Sequence, residues 1–374
     1  FYTPHFPASR ASAYLFVTLA TMSLAAWRVL YATVFSQPTF QQRLLIVGAG
    51  ESGSELARAL VNVPSSGNPH AGTGYQVIGF VDDDEAKVGT DVEGVPVLGD
   101  RTVLRDLVAE NEIDTLVLAI THTPGIHPTL FQNLLDCQEQ GIHLEPMTSF
   151  YERLTGRVPV EHAGRNLHVI LPLQDSPMHR IFLALKRLVD LFAAVLGLLL
   201  LALVAPLVAL ANLLWARGPL FYRQSRVGRN GQPFDLVKFR SMIPQAEAEC
   251  GAVWAREDDE RITPVGSFLR KTRLDELPQM WNILKGEMSL IGPRPERPEF
   301  VTDLVQQVPF YQARHAVRPG LTGWAQVRYR YGSSVEDTLI KLQYDLYYIK
   351  YRNLYLETSI LVKTAAVMVG FRGR

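Results

Sequence analysis

Cysteine is scarce in this chain of 374 residues, which contains only Cys137 and Cys250. The two residues are far apart and lack the spacing of a zinc site, so we expect a reducing setting without a disulfide framework. An excess of charge of one sign is also missing, because 37 Lys and Arg residues balance 37 Asp and Glu residues. Such a chain has no global positive field, which argues against nucleic acid as a partner. Any basic function must therefore be local.

An apolar run lies near the start of the chain, at residues 11–35, with Arg28 as its one charge. Its length suits a bilayer, and it lacks the short apolar core and the cleavage site of a signal peptide. Arg28 and the following Arg43 place the C-terminal end of the run on the cytoplasmic side. The run predicts a transmembrane helix, with a buried helix of a soluble domain as the alternative.

Residues 41–148 alternate strand-like and helix-like patterns, which predicts a Rossmann-like α/β domain with a parallel sheet. After a buried-strand run, three glycines follow in GxGxxG spacing: Gly48, Gly50 and Gly53. Strand, glycine turn and helix are the context of a dinucleotide site, so these glycines are candidate cofactor-binding residues. The domain contains no Tyr-x-x-x-Lys pair, which a dehydrogenase or epimerase would need. Nucleotide binding and a vestigial or regulatory role both stay open.

A connector at residues 149–179 leads to a second membrane element at residues 180–217. Pro206 interrupts the apolar run and forces a kink, because proline removes a helix hydrogen bond and clashes with the preceding turn. Basic residues flank both ends: Lys186 and Arg187 before the run, and Arg217 and Arg223 after it. By the positive-inside rule, both ends then lie on one side of the membrane. This favours a re-entrant helix, with a kinked spanning helix as the alternative.

Two adjacent carboxylates, Asp275 and Glu276, stand where an amphipathic helix pattern begins. Pro278 lies in its first turn and Gly286 follows its end, so the pair is predicted at a helix N-terminus. Basic residues flank the pair: Arg270, Lys271 and Arg273 before it, and Lys285 and Arg294 after it. Arginines suit phosphate contacts, and paired carboxylates suit a Mg²⁺ ion that bridges phosphates. From residue types alone, a phosphate-handling site and a capped surface helix are equally good interpretations.

Three further features lie around this stretch. Residues 234–242 predict a strand that directs Lys238 and Arg240 to one face, for phosphate binding or as a basic edge near lipid headgroups. His315 stands before a Pro-Gly turn, where a histidine is more often structural than a general base. The tyrosine- and leucine-rich tail, residues 335–369, predicts helices in the membrane interface, with ordinary domain packing as the alternative.

A resemblance to a known family rests on three stretches: "RKTRLDELPQMWNILKGEMSLIGPRPERPEF", the overlapping "PVGSFLRKTRLDELPQ", and "RHAVRPGLTGWAQV". They resemble the bacterial sugar transferases called monotopic phosphoglycosyl transferases, and among these the large polyprenyl-phosphate hexose-1-phosphate transferases. The resemblance covers residues 177–374 and implies a small α/β catalytic domain at residues 218–374 behind the re-entrant helix. In large family members the Rossmann-like domain is accessory, and further membrane helices precede it. Since the chain begins at Phe1 rather than Met, we expect N-terminal sequence to be missing.

The resemblance implies an activity and a location. The enzyme would transfer hexose-1-phosphate from a UDP-sugar to polyprenyl phosphate, such as undecaprenyl phosphate, and release UMP. This step begins the synthesis of a surface or secreted polysaccharide. The catalytic domain would face the cytoplasm at the bacterial inner membrane, in contact with membrane lipid. Glucose and galactose are both used by relatives, and no residue here identifies the sugar.

The resemblance also implies roles for single residues. Asp275 would attack the β-phosphate to form an aspartyl phosphosugar, Glu276 would act as base or metal ligand, and both would bind Mg²⁺. Positions that bind phosphate or nucleotide match Lys238, Arg270, Arg294 and Arg330. Many relatives have Asn-Gly-Arg where this chain has 328–330, so Arg328 is an alternative to Arg330. The re-entrant break falls at Ala205 and Pro206, where many relatives have Ser at the first position.

Two other functions compete with this one. An NAD-dependent sugar-nucleotide oxidoreductase or epimerase would act through the Rossmann-like domain and would bind a cofactor. A non-catalytic membrane scaffold would have a degenerate transferase domain, against which the complete set of acidic and basic residues argues. The accessory domain would be a natural place for a homodimer contact.

Overall fold

The computed structural model of the chain describes residues 10–34, 42–61, 74–120, 126–162, 177–244, 246, 259–329 and 334–369. Internal contacts divide the chain into two compact units, Phe1–Thr155 and Gly156–Arg374. The division falls inside the stretch 149–179 that the sequence predicts as a connector. The domain limits predicted from the sequence stay predictions.

The first unit begins with a long apolar helix, α1 (Arg10–Val34). Its stretch Ala11–Leu30 is long and apolar enough to cross a membrane. Large apolar side chains along it, such as Phe16 and Trp27, are more than half exposed. Because a soluble surface rarely exposes so much apolar area, α1 is a candidate membrane span, in agreement with the sequence analysis.

A six-stranded sheet forms the core of the first unit, in the order β3-β4-β2-β1-β5-β6. Its strands are β1 (Gln42–Val47), β2 (Tyr75–Val81), β3 (Asp91–Val92), β4 (Val95–Gly99), β5 (Thr115–Leu118) and β6 (His143–Pro146). Neighbouring strands are parallel except for the β3–β4 pair. The helices are α2 (Glu51–Val61), α3 (Leu104–Glu110), α4 (Pro128–Glu139) and α5 (Met147–Thr155).

The central strand β1 shows why the sheet is parallel and covered on both faces. Leu44 and Ile46 are fully buried in the cluster beneath α2 and α5, while Leu45 is fully buried in the cluster beneath α3 and α4. A strand buried on both faces reads as a continuous apolar run, which is the pattern from which the parallel α/β sheet is predicted. That prediction is confirmed.

The second unit is built around one long helix, α6 (Pro177–Trp215), and an antiparallel hairpin of β7 (Phe221–Val227) and β8 (Pro233–Phe239). A helical segment then contains α7 (Pro264–Lys271), the 3₁₀ helix Leu274–Gln279 and α8 (Met280–Lys285). Strand β9 (Ser289–Ile291) pairs in parallel with β10 (Gly320–Thr322). The remaining helices are α9 (Pro298–Gln307), α10 (Trp324–Arg328), α11 (Val335–Tyr351) and α12 (Leu354–Val369).

The last two helices differ in how they use their apolar residues. In α11, Leu342, Leu346 and Ile349 are almost fully buried in the main core of the unit, so ordinary packing accounts for its amphipathic pattern. Helix α12 buries Ile360 in the same core but leaves Leu354 74% and Tyr355 82% exposed. Exposed apolar side chains thus lie at the start of α12 and continue along it at Leu361, Val362 and Val367.

Helix α6 stays helical through Ala205 and Pro206, where the sequence analysis places a break. The break in secondary structure is thus corrected to a proline inside a continuous helix. Proline fixes a φ that a helix already uses, and Ala205 packs with Val208 in a cluster formed with Phe239, which holds this segment in place. The re-entrant orientation of the helix stays a prediction.

Polar contacts fasten the N-terminal half of α6 to the rest of its unit. The buried carboxylate of Asp190 accepts hydrogen bonds from the Ser289 hydroxyl at 3.1 Å and from the Leu290 N–H at 3.0 Å. Lys186 pairs with Glu357 of α12 at 2.7 Å. The position of the Asp190 carboxylate within this apolar helix is thus fixed by its hydrogen-bond partners on β9.

We expect the Asp190→Ala variant to be less stable than the wild type by about 1–3 kcal/mol, because the Ser289 hydroxyl and the Leu290 N–H lose their buried acceptor. Asp190→Asn keeps an acceptor oxygen and should lose less. The free energy of unfolding can be measured with denaturant in detergent micelles. The exposed Asp303 gives the control, Asp303→Ala. Equal stability of Asp190→Ala and wild type would contradict this account of α6.

Candidate functional site

The carboxylate pair lies at the start of a helical segment, as the sequence predicts. Helix α7 ends before Arg273, whose φ of 58° is left-handed, and the 3₁₀ helix that follows runs directly into α8. The first turns are 3₁₀ rather than α because Pro278 has no N–H to donate to the carbonyl four residues earlier. Gly286, with a φ of 86°, ends α8 at the predicted place.

The Glu276 carboxylate is surrounded by three cations. Its Oε1 lies 3.0 Å from Nη2 of Arg294, 3.6 Å from Nζ of Lys238 and 3.9 Å from Nη1 of Arg273. Burial alone would raise the pKa of Glu276, but these positive charges outweigh it and lower the pKa to about 2. Glu276 is therefore ionised at any physiological pH.

Asp275 has the opposite environment although it is the next residue. Burial, and then the charge of Glu276, raise its pKa to about 6. Its Oδ1 is buried and accepts no hydrogen bond from the part of the chain that the structure describes. Two adjacent carboxylates thus differ in charge state and in availability, a contrast typical of sites that assign different chemical roles to neighbouring acids.

Lys238 and Arg294 approach the pair from two directions. Lys238 lies on β8, opposite Tyr222 of β7, and burial lowers its pKa by more than the charge of Glu276 raises it. Arg294 lies in the loop after β9. Two arginines hold that loop by its carbonyls: Arg226 donates to the Pro295 oxygen at 3.1 Å and Arg314 donates to the Arg294 oxygen at 3.0 Å. The loop is thereby fixed with its own arginine directed at Glu276.

Arg314 is itself held by a buried ion pair with Asp345 of α11. Its Nη2 and Nε lie 2.8 Å and 3.1 Å from the same carboxylate oxygen, and its Nη1 donates to the Tyr311 hydroxyl at 2.6 Å. Sequence reasoning missed Arg226, Arg314 and Asp345 as members of the site, whereas it named Arg273 among the basic residues that flank the carboxylate pair. Arg314 and Asp345 are far from Asp275 in sequence, so only the tertiary fold could connect them.

The other predicted residues are placed as follows. Arg270 is half-buried on α7, and no contact joins it to Asp275 or Glu276 among the described residues. Arg330 lies outside the residues that the structure describes.

Arg240 donates to the carbonyls of Pro219 and Met242 and caps the end of α6 at Ala216, so its role is structural. Burial and the neighbouring Arg314 lower the pKa of His315 to about 4.

The predicted Mg²⁺ site can be tested against the donor set. The residues that the structure describes contain no group of three or more His, Cys, Asp and Glu side chains able to hold a metal alone. Mg²⁺ is commonly held by one or two carboxylates together with substrate phosphates. Asp275, with an unpartnered buried oxygen, and the ionised Glu276 therefore fit an ion that arrives with a phosphate ligand.

The glycine loop of the first unit follows the predicted geometry. Gly48 has a φ of 109°, and a Cβ on Gly53 would lie 2.1 Å from the Gly48 oxygen, so both positions need glycine. Gly50 has open space around it. Asp82, at the end of β2, accepts a hydrogen bond from the Ala49 N–H at 2.6 Å. The acidic residue that would contact a ribose is thus bonded to the loop itself.

Two different protein-family models match the two parts of the chain. The family model described as bacterial sugar transferase matches residues 181–371, and the model described as CoA-binding domain matches residues 5–126. The UDP-glucose:undecaprenyl-phosphate glucose-1-phosphate transferase of Xanthomonas campestris pv. campestris is 32% identical over 340 residues, which are 88% of this chain and 67% of that protein.

Two further relatives match over shorter stretches of the chain. The UDP-N-acetylgalactosamine-undecaprenyl-phosphate N-acetylgalactosaminephosphotransferase of Aeromonas hydrophila is 44% identical over 225 residues, or 60% of this chain and 52% of the relative. The UDP-glucose:undecaprenyl-phosphate glucose-1-phosphate transferase of Escherichia coli (strain K12) is 40% identical over 206 residues, or 54% and 43%. The chain thus spans between 43% and 67% of the length of these three relatives.

We expect Asp345→Ala to lower the free energy of unfolding by about 3–5 kcal/mol, because Arg314 becomes a buried charge without a partner. The double variant Arg314→Met with Asp345→Leu removes both charges and should recover most of the loss. Denaturant unfolding in detergent measures both values. As a control, Glu299→Ala removes an exposed carboxylate that lies 3.5 Å from Nε of the largely buried Arg297, and it should change stability by less than about 1 kcal/mol. A small loss in Asp345→Ala would show that the pair is not needed.

Proposed function

Because the chain belongs to the bacterial sugar transferase family, we propose that it transfers a hexose-1-phosphate from a UDP-sugar to polyprenyl phosphate and releases UMP. The names of the three relatives above give undecaprenyl phosphate as the acceptor and UDP-glucose or UDP-N-acetylgalactosamine as the donor. Since those donors differ, the proposal leaves the hexose open. The product would be the lipid-linked sugar from which a surface or secreted polysaccharide is extended.

The proposal rests most on the contrast between Asp275 and Glu276. Three cations contact Glu276, whereas the buried Oδ1 of Asp275 accepts no hydrogen bond from any residue that the structure describes. A carboxylate without partners is available to attack phosphorus, and its low exposure limits competing attack by water. Both residues lie in the segment that the family model matches.

Transfer between two phosphates has to overcome the repulsion of two anions, and a covalent step divides the problem. In the first step, a carboxylate oxygen of Asp275 would form a bond to the β-phosphorus of the UDP-sugar, and the bond to the bridging oxygen breaks so that its electron pair leaves with UMP. In the second step, an oxygen of polyprenyl phosphate attacks the same phosphorus, and the bond to Asp275 breaks. The enzyme is then restored.

The cations around Glu276 would neutralise the charge that develops on the transferred phosphoryl group. Arg294, Lys238 and Arg273 converge on one carboxylate, which fixes their directions before the substrate arrives. A carboxylate whose pKa is as low as about 2 is a weak proton acceptor near neutral pH. We therefore assign Glu276 to charge positioning and metal binding rather than to general base catalysis. A Mg²⁺ ion held by Asp275 and Glu276 would supply further charge neutralisation to the phosphates.

The contacts of α6 support a re-entrant orientation. At 39 residues the helix is roughly 57 Å long, about twice the thickness of the hydrocarbon core. The same unit contacts the helix through Lys186 and Asp190 near one end and through Arg240 at the other. A simple span would carry one of these polar contacts through the bilayer, which supports an orientation with both ends on one face. We propose that face to be the cytoplasmic side of the bacterial inner membrane.

The two competing functions have less support. An oxidoreductase acting through the first unit would need Asp82 to leave the Ala49 N–H before it could bind a ribose. A non-catalytic scaffold has no reason to keep Asp275 buried beside an assembled set of cations. The homodimer contact stays a prediction.

We expect the purified wild-type protein, given Mg²⁺ and a panel of UDP-sugars without lipid, to gain the mass of one sugar phosphate. Polyprenyl phosphate should then remove it, because the acceptor displaces Asp275 from phosphorus. Intact-mass analysis measures both steps and identifies the sugar. Asp275→Asn should form no adduct, while Asp303→Asn, at an exposed position on α9, should form it as the wild type does. Absence of an adduct with every sugar, together with no UMP release when lipid is present, would overturn the proposal.

We also expect adduct formation to slow as the pH falls through about 6, since a protonated Asp275 is not a nucleophile. In Glu276→Gln the charge that raises the pKa of Asp275 is lost and the freed cations act on Asp275 instead, so the acidic limb should move to lower pH. The maximal rate should also fall, because the cations lose their anchor. Rapid-quench assays of UMP release across pH give both values, with Glu299→Gln as control. An unmoved acidic limb in Glu276→Gln would contradict the electrostatic coupling.

A further inference from the structure

Four arginines lie together at the end of α8 that is remote from Asp275, and we call them the arginine cluster: Arg187, Arg229, Arg318 and Arg352. Guanidinium nitrogens of Arg187 and Arg318 both face Gly286, where an added Cβ would lie 3.3 Å and 3.9 Å from them. Arg229 acts electrostatically on both Arg318 and Arg352, lowering the pKa of each after the effect of burial. The four side chains therefore share one region of like charge.

No ion pair joins the cluster to an acidic residue in the part of the chain that the structure describes. Arg318 is half-buried and makes no hydrogen bond or ion pair with any residue that the structure describes. Among the residues that the structure describes, Nε of Arg352 is buried without a hydrogen-bond partner, and its Nη2 contacts the ring of His179 at 3.0 Å. Keeping a partly buried guanidinium without an acceptor is costly. An anion that is absent from the chain itself would remove that cost.

The acidic residues nearby are already engaged. Asp190 accepts hydrogen bonds from Ser289 and Leu290, and Glu357 is paired with Lys186 and accepts from the Tyr348 hydroxyl at 2.6 Å. Glu287, next to Gly286, accepts from Asn282 at 2.7 Å. Arg187 uses two nitrogens on the carbonyls of Ile283 and Leu284 at the end of α8. The charge of Asp190 acts on Arg318 and that of Glu357 on Arg352, but neither acid forms an ion pair with the cluster among the described residues.

The position of the cluster separates it from the proposed active site. Residues 275–286 form one short helical segment, so Gly286 lies roughly 15–20 Å from Asp275 along its axis. The cations that surround Glu276 are a different set: Arg273, Arg294 and Lys238. A ligand of the cluster is therefore not the phosphate that reacts at Asp275.

The cluster also lies where two apolar surfaces begin. Arg187 is flanked on α6 by Leu185 and Leu188, which are 57% and 63% exposed, and Arg352 directly precedes the exposed start of α12. If these surfaces contact lipid, as the proposed function requires, the guanidinium groups lie at the level of the headgroups. Phosphate is the anion present there, and guanidinium groups bind it with paired N–H donors.

We propose that the arginine cluster is a binding site for the phosphate of an anionic phospholipid headgroup, separate from the sites of the donor and the acceptor. The bound phosphate would accept hydrogen bonds from Arg318 and Arg229 and would lie beside Arg187. Since Arg187 holds the C-terminal carbonyls of α8, such a lipid would also support the helical segment that carries Asp275. The site would then make the fold of the second unit dependent on the membrane in which it lies.

The test compares lipid retention by the delipidated full-length chain in native mass spectrometry. Phosphatidylglycerol and phosphatidylcholine are added at equal concentration to the wild type, Arg318→Gln, Arg229→Gln and the charge-preserving Arg318→Lys. Each Gln variant should lose about fivefold of the preference for phosphatidylglycerol, as expected for one arginine at a lipid surface, and Arg318→Lys should retain most of it. Arg223→Gln is the matched control, because Arg223 is an exposed arginine of the same unit on β7.

The outcomes separate the sources of phosphate. An equal preference for phosphatidylglycerol in the wild type and in both Gln variants overturns the site. Because Arg229 is exposed, Arg229→Gln is not expected to misfold, so a loss of preference in this variant is not caused by misfolding. Saturation by inorganic phosphate without lipid preference overturns the lipid assignment. Polyprenyl phosphate displacing phosphatidylglycerol in Asp275→Asn would assign the cluster to the acceptor instead. Adduct formation on Asp275 is read separately, so failure of the transferase proposal and failure of the lipid site give different results.

Discussion

The carboxylate of Glu276 is contacted by cations from three separate parts of the second unit. Lys238 from the hairpin, Arg294 from the loop after β9 and Arg273 from the turn after α7 all reach one oxygen atom of this side chain. Without that negative charge, three cations in a largely buried place would repel one another. The Glu276 carboxylate allows three cations to lie close together, and a diphosphate substrate would need such a concentration of positive charge.

The second constraint is the attachment of the apolar helix α6 to the polar part of the second unit through a few polar contacts. Helix α6 exposes apolar residues along most of its length, yet Asp190 is buried because it is bonded to β9, and Arg187 caps the end of α8. These contacts connect the helix to the segment that carries Asp275. The same group of hydrogen bonds therefore sets the placement of this apolar helix within its unit and the geometry at the site.

Several elements could be read from the sequence because their causes are local. The run of β1 and the spacing of Gly48 and Gly53 predict a parallel sheet with a tight turn, and both are present. The start and end of the helical segment at Asp275 and Gly286 follow from proline and glycine chemistry. The continuous helix at Pro206 was missed, because a proline's effect depends on the packing around it, which the sequence does not show.

The sequence by itself determined which residue types stand beside each other: two carboxylates at a helix start, arginines around them, and the stretches that resemble a sugar transferase family. Only the tertiary structure decided that cations contact Glu276 while Oδ1 of Asp275 accepts no hydrogen bond from the described residues, and that Arg314 and Asp345 hold the loop of Arg294. The reason is physical. Propensity and hydrophobic pattern act over a few neighbouring residues, whereas burial, pKa and ion pairing depend on groups that the folded chain brings together from distant positions.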